Sequence, residues 1–389
     1  MPRYPEVSAS VGEVKASVYS AFAHRLANYE GEIFPLHIGD TWMEPAAGCR
    51  MEDLRVADIA GLHRYTRVTG LPALVDGLVD RTRLRTGVAT ERENVLVSAG
   101  ATGALGAVAG ALVAPGDEVL ILAPFWPLIA GMVRSFHGVP VPVPFIGEVD
   151  GPESAVEAVE AARTPRTVAL YLNTPNNPTG EVIPEAWMAA LADWAARHDL
   201  WLISDEVYED YQYSGEHTYL RALAPERTFS AYSFSKGFGM SGNRCGYVIG
   251  PADRMASLTK VSTHTFYSTP TASQHAALRV LGAEGDAWVR EARAQYETLG
   301  RYAAGRLGVQ APKGSTFLFV DVGDHLDETG VPGFLGRCVD RGLLIAPGSS
   351  FGPYPNHVRV CFTSAEPSIV RRGIDLLASL LGRGSEPAV

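Results

Sequence analysis

The chain has 389 residues, of which 46% are hydrophobic and 20% are charged, and its formal net charge is −10. This is an ordinary globular composition, and the length predicts two domains. A net acidic chain without a basic run is not expected to bind nucleic acid or an anionic membrane surface. A local cluster can still hold a small anion.

Helix-like and strand-like patterns alternate along most of the chain. A helix is predicted over residues 11–29, an extended segment and loop follow in "EIFPLHIGDTWMEPAAG", and a second helix is predicted over 72–85. Short apolar runs predict seven strands, at 94–100, 118–124, 140–145, 167–172, 200–204, 228–234 and 245–250, with helices in several gaps, such as 184–198. This alternation predicts an α/β domain with a mainly parallel sheet.

The last third of the chain has a different pattern. It predicts a long helix over 286–307, short strands at 316–322 and 357–362, and an amphipathic helix over 366–381. We interpret this part as a smaller α+β domain that also includes the N-terminal helix. The expected boundaries are 40–284 for the large domain, and 1–39 with 285–389 for the small one.

The cysteines and the apolar runs of the sequence predict the cellular compartment of the protein. Cys49, Cys245, Cys338 and Cys361 are scattered and form no C-x-x-C pair, which argues against a zinc ribbon or a redox motif. The first residues lack the apolar core of a signal peptide, and the longest nearly apolar run, 103–115, is too short to span a bilayer. We therefore expect a cytoplasmic protein with reduced thiols.

The stretch "SAGATGAL", residues 98–105, follows a predicted strand and opens a helix. Small residues there let backbone N–H groups approach an anion, the helix N-terminus favours negative charge, and Thr102 adds a hydroxyl. A plain strand-to-helix turn explains the pattern equally well, because a glycine-rich turn is a weak signal. The stretch matches neither the dinucleotide-binding fingerprint nor a P-loop.

Two further motifs follow predicted strands, at the ends where open α/β sheets bind ligands. The stretch "LNTPNNPTGEV", residues 172–182, contains more turn-forming residues in a row than a plain connection requires. In "LISDEVYEDY", residues 202–211, Asp205 ends an apolar strand, where a carboxylate is costly unless a cation pairs with it. Tyr208 lies three residues further on. The alternative for Asp205 is a helix N-cap.

The stretch "YSFSKGFGMSGNRCGY", residues 232–247, places Lys236 in a serine- and glycine-rich turn after a strand. A lone lysine is usually a solvated surface residue. A lysine held near cations in a partly desolvated site instead has a lowered pKa and becomes a nucleophilic amine. Arg244, eight residues further on, offers a bidentate fork for a phosphate.

Taken in order, the small-residue turn, "PFWP", "NNPTG", "SDEVY" and "SFSK" followed by an arginine resemble the fold type I aminotransferases that depend on pyridoxal 5'-phosphate (PLP). This is the aspartate aminotransferase superfamily, class I/II, and the resemblance extends from "LHIGD" to the final helix. It implies a large domain with a mainly parallel seven-stranded sheet flanked by helices, and a smaller α+β domain. It also implies a homodimer with shared active sites. The implied activity is amino transfer between an L-amino acid and a 2-oxo acid by a ping-pong mechanism.

The same resemblance implies a role for each site residue. Lys236 would form the Schiff base with the cofactor and move the proton of the substrate Cα, and Asp205 would keep the ring nitrogen protonated. Tyr208 and Asn177 would contact the phenolic oxygen, and Trp126 would lie on the ring face. The implied phosphate contacts are the backbone of Ala101, the side chains of Thr102 and Arg244, and Ser233 or Ser235. Tyr65 would reach the phosphate bound in the partner subunit. The implied substrate contacts are Arg359 and the backbone of Gly39 at the α-carboxylate, together with Asn177.

This chain departs from the family at two positions near the expected substrate side chain. It has "GDTWMEP" where the family often has "GEPDF", so Trp42 is either a specificity residue or a packing residue. Some bacterial aspartate aminotransferases have a lysine at the position of Thr102 that reads an acidic side chain. The sequence therefore neither supports nor excludes an acidic second substrate.

Two other classes of function compete with transamination. A lyase, a cyclase or an amino-acid oxidase on the same scaffold would need the same Lys236, Asp205 and Arg359. Some transcription regulators use this fold as an effector domain. They carry an N-terminal DNA-binding module and a basic arm, and this acidic sequence has neither.

Overall fold

The structure is a computed structural model that describes residues 22–383 and, before them, Gly12 and Val14. Most of the helix predicted over 11–29 therefore lies outside the described residues, and its described part contains helix α1, Ala23–Ala27. The remaining helices are α2 (Pro72–Thr86), α3 (Gly100–Leu112), α4 (Leu128–Ser135), α5 (Pro152–Ala162), α6 (Glu185–Arg197), α7 (Leu220–Leu223), α8 (Phe234–Gly237), α9 (Ala252–Thr265), α10 (Thr271–Arg279), α11 (Ala283–Leu307), α12 (Gly330–Val339) and α13 (Pro367–Leu380).

The strands agree closely with the apolar runs of the sequence. They are β1 (Phe34–Pro35), β2 (Val95–Ser98), β3 (Glu118–Ala123), β4 (Val139–Pro144), β5 (Thr167–Asn173), β6 (Trp201–Asp205), β7 (Thr228–Ser233), β8 (Gly246–Ile249), β9 (Phe317–Asp321), β10 (Leu343–Leu344), β11 (Ala346–Pro347) and β12 (His357–Cys361). Strands β2 to β8 form one sheet in the order β2-β8-β7-β6-β5-β3-β4. This confirms the seven-stranded sheet.

The sheet is parallel from β4 to β7, and β8 is antiparallel to both of its neighbours. Its middle strands are buried on both faces, as expected for a parallel sheet covered by helices. Alternate residues of β3 point to opposite faces. Val119 and Ile121 pack in a core with α3, α4 and α9, whereas Leu120 and Leu122 pack in a core with α5 and α6.

The C-terminal part contains two small sheets. Strands β11, β12 and β9 form an antiparallel sheet in that order, and β1 pairs with β10 in parallel. One hydrophobic core joins β9, β10 and β12 to α11, α12 and α13, and it includes Leu36 from the N-terminal side. Tyr208 and Tyr211, which follow β6 of the large sheet, belong to the same core. The two parts of the chain are therefore packed together near these tyrosines.

The strand order brings chemistry-bearing residues to one edge of the large sheet. Strands β5, β6 and β7 are parallel neighbours, so their carboxyl ends lie side by side, and Asn173 is in register with Asp205. Strand β8 runs back beside β7 and pairs Gly246 with both Ser233 and Ser98.

Within the described part of the chain, no helix is long and apolar enough to cross a membrane.

Candidate active site

A cavity of about 410 Å³ opens at this edge of the sheet. The predicted site residues that line it are Gly39, Ala101, Thr102, Trp126, Asn177, Asp205, Tyr208, Ser233, Ser235, Lys236, Arg244 and Arg359. They come from loops and element ends between residues 39 and 359, so the fold brings together groups that are far apart in the sequence. Such a concave site with a few converging polar groups is typical of a small-molecule site.

Lys236 lies in the short helix α8, directly after β7, and its Nζ donates a hydrogen bond to the backbone oxygen of Gly39. Burial lowers the pKa of Lys236, and the positive charges of Arg359 and Arg244 act in the same direction, whereas Asp40 opposes them. A lowered pKa increases the fraction of neutral amine at a given pH. Lys236 is therefore suited to act as a nucleophile and as a base.

Asp205 ends β6 and is buried, and its carboxylate accepts a hydrogen bond of 2.8 Å from the hydroxyl of Tyr171. Burial raises the pKa of Asp205 to about 6, although the hydrogen bonds from Tyr171 and from the backbone of Val207 favour the ionised form. Among the residues that the structure describes, no ion pair includes Asp205. A buried carboxylate without a cation is costly, so this position suits a ligand that brings a positive charge.

The N-terminus of α3 forms one wall of the cavity. Its N-cap residue, Ala99, provides no side-chain cap, so the N–H groups of the first turn are available to a ligand. Gly100 has a φ of 70°, and a Cβ there would lie 2.6 Å from Nη2 of Arg244. A Cβ on Gly246 would lie 2.6 Å from the backbone nitrogen of Ala101. The close packing of glycines allows β8 and the Arg244 side chain to approach this helix end.

Three side chains add donors and acceptors to that wall. Thr102 lies in the first turn of α3, and the hydroxyl oxygen of Ser233 accepts a hydrogen bond of 3.0 Å from the backbone N–H of Ser235. Arg244 has a left-handed backbone, and its Nη1 donates to the backbone oxygen of Ser241 over 2.8 Å. Helix N–H groups, hydroxyls and a guanidinium together suit a phosphate.

Arg359 lies on β12 and is buried between two aromatic rings. Its guanidinium carbon is 4.3 Å from the ring centre of Phe317 and 4.7 Å from that of Phe351. Its Nη1 donates to Oδ1 of Asn177 over 3.0 Å, and its Nη2 donates to the backbone oxygen of His37. Burial, together with the positive charge of Arg359, lowers the pKa of His37 to about 4. The imidazole is therefore neutral near pH 7, and the positive charge here belongs to Arg359.

Trp42 and Tyr65 do not line the cavity of this chain. The ring of Trp42 contacts the ring of Tyr296 edge-on, with 4.9 Å between the centroids, and packs on the C-terminal core. This is the contact expected of a packing residue. The side chain of Tyr65 is 84% exposed, and its ring contacts that of Tyr267 at 4.9 Å.

Several residues around the cavity were not predicted from the sequence. Tyr171 binds the carboxylate of Asp205, Asn173 donates to the backbone oxygen of Asp205 over 2.8 Å, and Phe351 covers Arg359. Tyr171 and Asn173 could have been predicted as site residues, because a hydroxyl or an amide in an apolar strand needs a buried partner. Phe351 could not, since it lies in a loop without a motif.

Residues 40–375 match the family model described as "Aminotransferase class I and II", and the chain belongs to this family of PLP-dependent aminotransferases. The chain is 34% identical over 341 residues to the aspartate/prephenate aminotransferase of Thermus thermophilus, a match that covers 85% of this chain and 87% of that protein. It is also 34% identical over 400 residues to the arginine–pyruvate transaminase of Pseudomonas aeruginosa, covering 98% and 100%. A solved structure of T. thermophilus aspartate aminotransferase with maleate has a TM-score of 0.87 at 30% identity, covering 97% and 100%.

These relatives favour transamination over the lyase, cyclase and oxidase alternatives. The residues of the cavity also fit PLP on three observations. Asp205 is a buried carboxylate that forms no ion pair with the described residues, which suits a protonated ring nitrogen. The uncapped end of α3, beside Arg244, suits a phosphate. Lys236 supplies an amine with a lowered pKa.

Proposed function

We propose that Lys236, Asp205 and Tyr208 are the catalytic residues of this aminotransferase, which transfers the amino group of an L-amino acid to a 2-oxo acid by a ping-pong mechanism. One observation carries the proposal. A single cavity contains a lysine of lowered pKa, a buried carboxylate without a cation, an uncapped helix N-terminus and a buried arginine. These are the groups that PLP and an amino acid together require.

When it is bound, PLP supplies an electron sink that makes the Cα proton of the substrate acidic. Lys236 would hold the cofactor through Nζ, and its amine would serve as the acid and base that moves the proton of the substrate Cα. Asp205 would hold a proton on the ring nitrogen. Tyr208 and Asn177 would donate hydrogen bonds to the phenolic oxygen, and Trp126 would lie against the ring. The proposed phosphate ligands are Ala101 through its N–H, Thr102, Ser233, Ser235 and Arg244.

Arg359 and Gly39 hold the α-carboxylate of the substrate. A guanidinium provides two parallel N–H donors in the geometry of a carboxylate. The rings of Phe317 and Phe351 lie against Arg359 and fix its plane, and Asn177 holds one nitrogen. Gly39 brings the backbone close, because a Cβ there would lie 2.7 Å from the ring of Phe317.

A donor screen tests the function directly. Single amino acids are added to the cofactor-loaded protein without an acceptor, and the loss of the yellow absorbance is followed. An amino acid that removes the absorbance and leaves its 2-oxo acid is a donor, and a 2-oxo acid that restores the absorbance is an acceptor. Release of ammonia or peroxide instead would contradict the proposal and point to a lyase or an oxidase.

We expect Arg359→Lys to raise the apparent KM for the amino donor at least about tenfold, because lysine keeps the charge but loses the fork. The cofactor absorbance should not change, since Arg359 binds substrate and not phosphate. Steady-state kinetics and a spectrum measure both effects. The control is Arg372→Lys, in an exposed pair with Glu32. Unchanged KM in Arg359→Lys, or equal turnover of amines without a carboxylate, would refute the role of Arg359.

We also propose a homodimer in which Tyr65 of one subunit reaches the phosphate bound in the other. The exposed rings of Tyr65 and Tyr267 support this, because a contiguous exposed aromatic pair is typical of a protein–protein contact.

The domain boundaries and the compartment stay predictions. The domain boundaries are 40–284, and 1–39 with 285–389. The compartment is the cytoplasm, whose reducing conditions suit four buried cysteines without disulfides.

Shared sites predict complementation between two defective subunits. We expect Tyr65→Ala and Lys236→Ala to be impaired separately, whereas a mixture of the two regains activity, because half of the sites in a mixed dimer carry neither change. The measurement is turnover after unfolding and refolding the two proteins together, with each protein refolded alone as the control. A mixture no more active than the sum of its components would rule out a shared site at Tyr65.

A further inference from the structure

Four charged side chains form a cluster beside the active site: Arg81, Arg85, Glu209 and Asp210. We call them the charge cluster. Arg81 and Arg85 are four residues apart on α2 and therefore share a face. Glu209 and Asp210 begin the short 3₁₀ helix that directly follows Tyr208. None of the four side chains is more than 24% exposed.

The charge cluster is closely paired and electrically balanced. Nη1 of Arg85 is 2.8 Å from Oε2 of Glu209, and Nη2 of Arg85 is 2.6 Å from Oδ1 of Asp210. Nη2 of Arg81 is 3.2 Å from Oδ2 of Asp210. Burial opposes ionisation, but Arg85 and Arg81 hold the pKa of Glu209 below its ordinary value. Removal of one member leaves a buried charge without a partner.

The cluster touches both chain segments that carry the proposed catalytic residues. On one side, Glu209 follows Tyr208 in the segment that begins at Asp205. On the other side, Oδ2 of Asp210 lies so close to Gly237, the residue after Lys236, that a Cβ there would be 2.7 Å away. Tyr211, the last residue of the same 3₁₀ helix, donates a hydrogen bond of 3.2 Å to the backbone oxygen of Gly237.

We propose that Asp210 is a positioning residue, which with Arg81 and Arg85 holds the Lys236 turn against the segment of Asp205 and Tyr208. Stability alone does not account for the cluster, because buried ion pairs can often be replaced by apolar residues without loss. The ion pairs with Arg81 and Arg85 instead fix the side chain of Asp210, which lies against Gly237 of the Lys236 turn. Tyr211 of the same 3₁₀ helix adds a directional bond to the backbone oxygen of Gly237. The inference rests on the proposed roles of Lys236 and Asp205.

The test is Asp210→Asn in the cofactor-loaded protein. We expect kcat to fall about 10- to 100-fold, because small displacements of a catalytic group have effects of this size. The pH midpoint of the cofactor absorbance should rise by about half a unit, since a loosened Lys236 turn relieves part of the burial that lowers the pKa of Lys236. The charged or titratable groups that act on Lys236, namely Asp40, Cys361, Arg359 and Arg244, are unchanged by the substitution. KM for the donor should change much less than kcat.

A control separates positioning from loss of stability. Leu191→Ala truncates a buried side chain on α6, in the core on the face of the sheet covered by α5 and α6. This substitution lowers the melting temperature without touching the cavity, so the absorbance midpoint and kcat should keep their wild-type values. The positioning role is wrong if Asp210→Asn leaves the midpoint unchanged, or if Leu191→Ala moves it as far.

Gly237→Ala tests the same contact without changing a charge, and an unchanged kcat in this variant would overturn the proposal even if Asp210→Asn fails to fold. Its methyl group collides with Asp210, so we expect kcat to fall about tenfold. In an Asp210→Ala background the collision is absent, and Gly237→Ala should have no further effect on kcat. Independent, additive effects of the two substitutions would overturn the proposal.

The outcome also separates this inference from the proposed function. If the wild-type protein with PLP showed no pH-dependent absorbance, or if Lys236→Ala retained it, the role of Lys236 itself would be wrong. If the wild type shows that absorbance and Lys236→Ala loses it, an unmoved midpoint in Asp210→Asn rejects only the positioning role.

Discussion

We expect Lys236→Ala to lower the rate of transamination at least about a thousandfold, because alanine provides neither the proposed cofactor-binding amine nor the proposed base for the Cα proton. The pH-dependent visible absorbance should disappear as well. Noncovalent binding of PLP should persist, since Asp205 and the phosphate contacts at Arg244 remain. Turnover, the absorbance titration and the binding constant measure these three effects separately.

Lys313→Ala is the matched control for this experiment. Lys313 is a half-exposed lysine that pairs with Glu181 over 2.7 Å, and it does not line the active-site cavity. Its loss should leave the turnover and the absorbance as they are in the wild type. Normal turnover in Lys236→Ala would mean that another group carries the chemistry.

The second large effect is expected for Asp205→Asn. Asparagine is nearly the same size but provides no negative charge, so it would not keep the proposed proton on the ring nitrogen of the cofactor. Each pKa unit corresponds to about 1.4 kcal/mol, and we expect the rate to fall by about three orders of magnitude. Rapid-mixing kinetics of the donor half-reaction measures this loss. A loss of only a few-fold would show that Asp205 is a structural cap.

In the cofactor-free protein, Asp205→Asn should increase the stability of the fold, although the same substitution lowers the rate of the cofactor-loaded protein. Because burial raises the pKa of Asp205 from 3.8 to about 6, the ionised carboxylate destabilises the folded state. This cost is absent below pH 3.8, grows as the pH rises, and is complete above about pH 6. Asp205→Asn should therefore raise the melting temperature of the cofactor-free protein at pH 8, with a gain of up to about 3 kcal/mol. At pH 4 the two proteins should differ little.

Hydrophobic patterning predicted most of the fold. The run "EVLILA" is apolar on both faces, and it forms the buried strand β3 because helices cover both sides of a parallel sheet. The antiparallel direction of β8 was not predicted, since a strand of four residues has the same pattern in either direction. Strands β10 and β11 were not predicted either, because two residues are too few to show a period.

The residues of the candidate site were recognisable in the sequence where a polar residue interrupts an apolar strand or follows its end, as Asp205 and Lys236 do. Contacts between distant segments were not predicted. The rings of Phe317 and Phe351 around Arg359 depend on how β9 and the loop before β12 pack, and neither phenylalanine differs in sequence from an ordinary core residue. The contact between Asp210 and Gly237 depends in the same way on tertiary packing.

The walls of the cavity differ in how much sequence change they tolerate. Gly100 and Gly246 have no room for a methyl group, and any side chain at Gly246 would strike the backbone of Ala101. Ile38 and Leu128 also line the cavity, but they are 54% and 53% exposed. Directed evolution toward new donors should therefore randomise these two positions and keep the glycines fixed. A library built in this way samples substrate range without losing the cofactor.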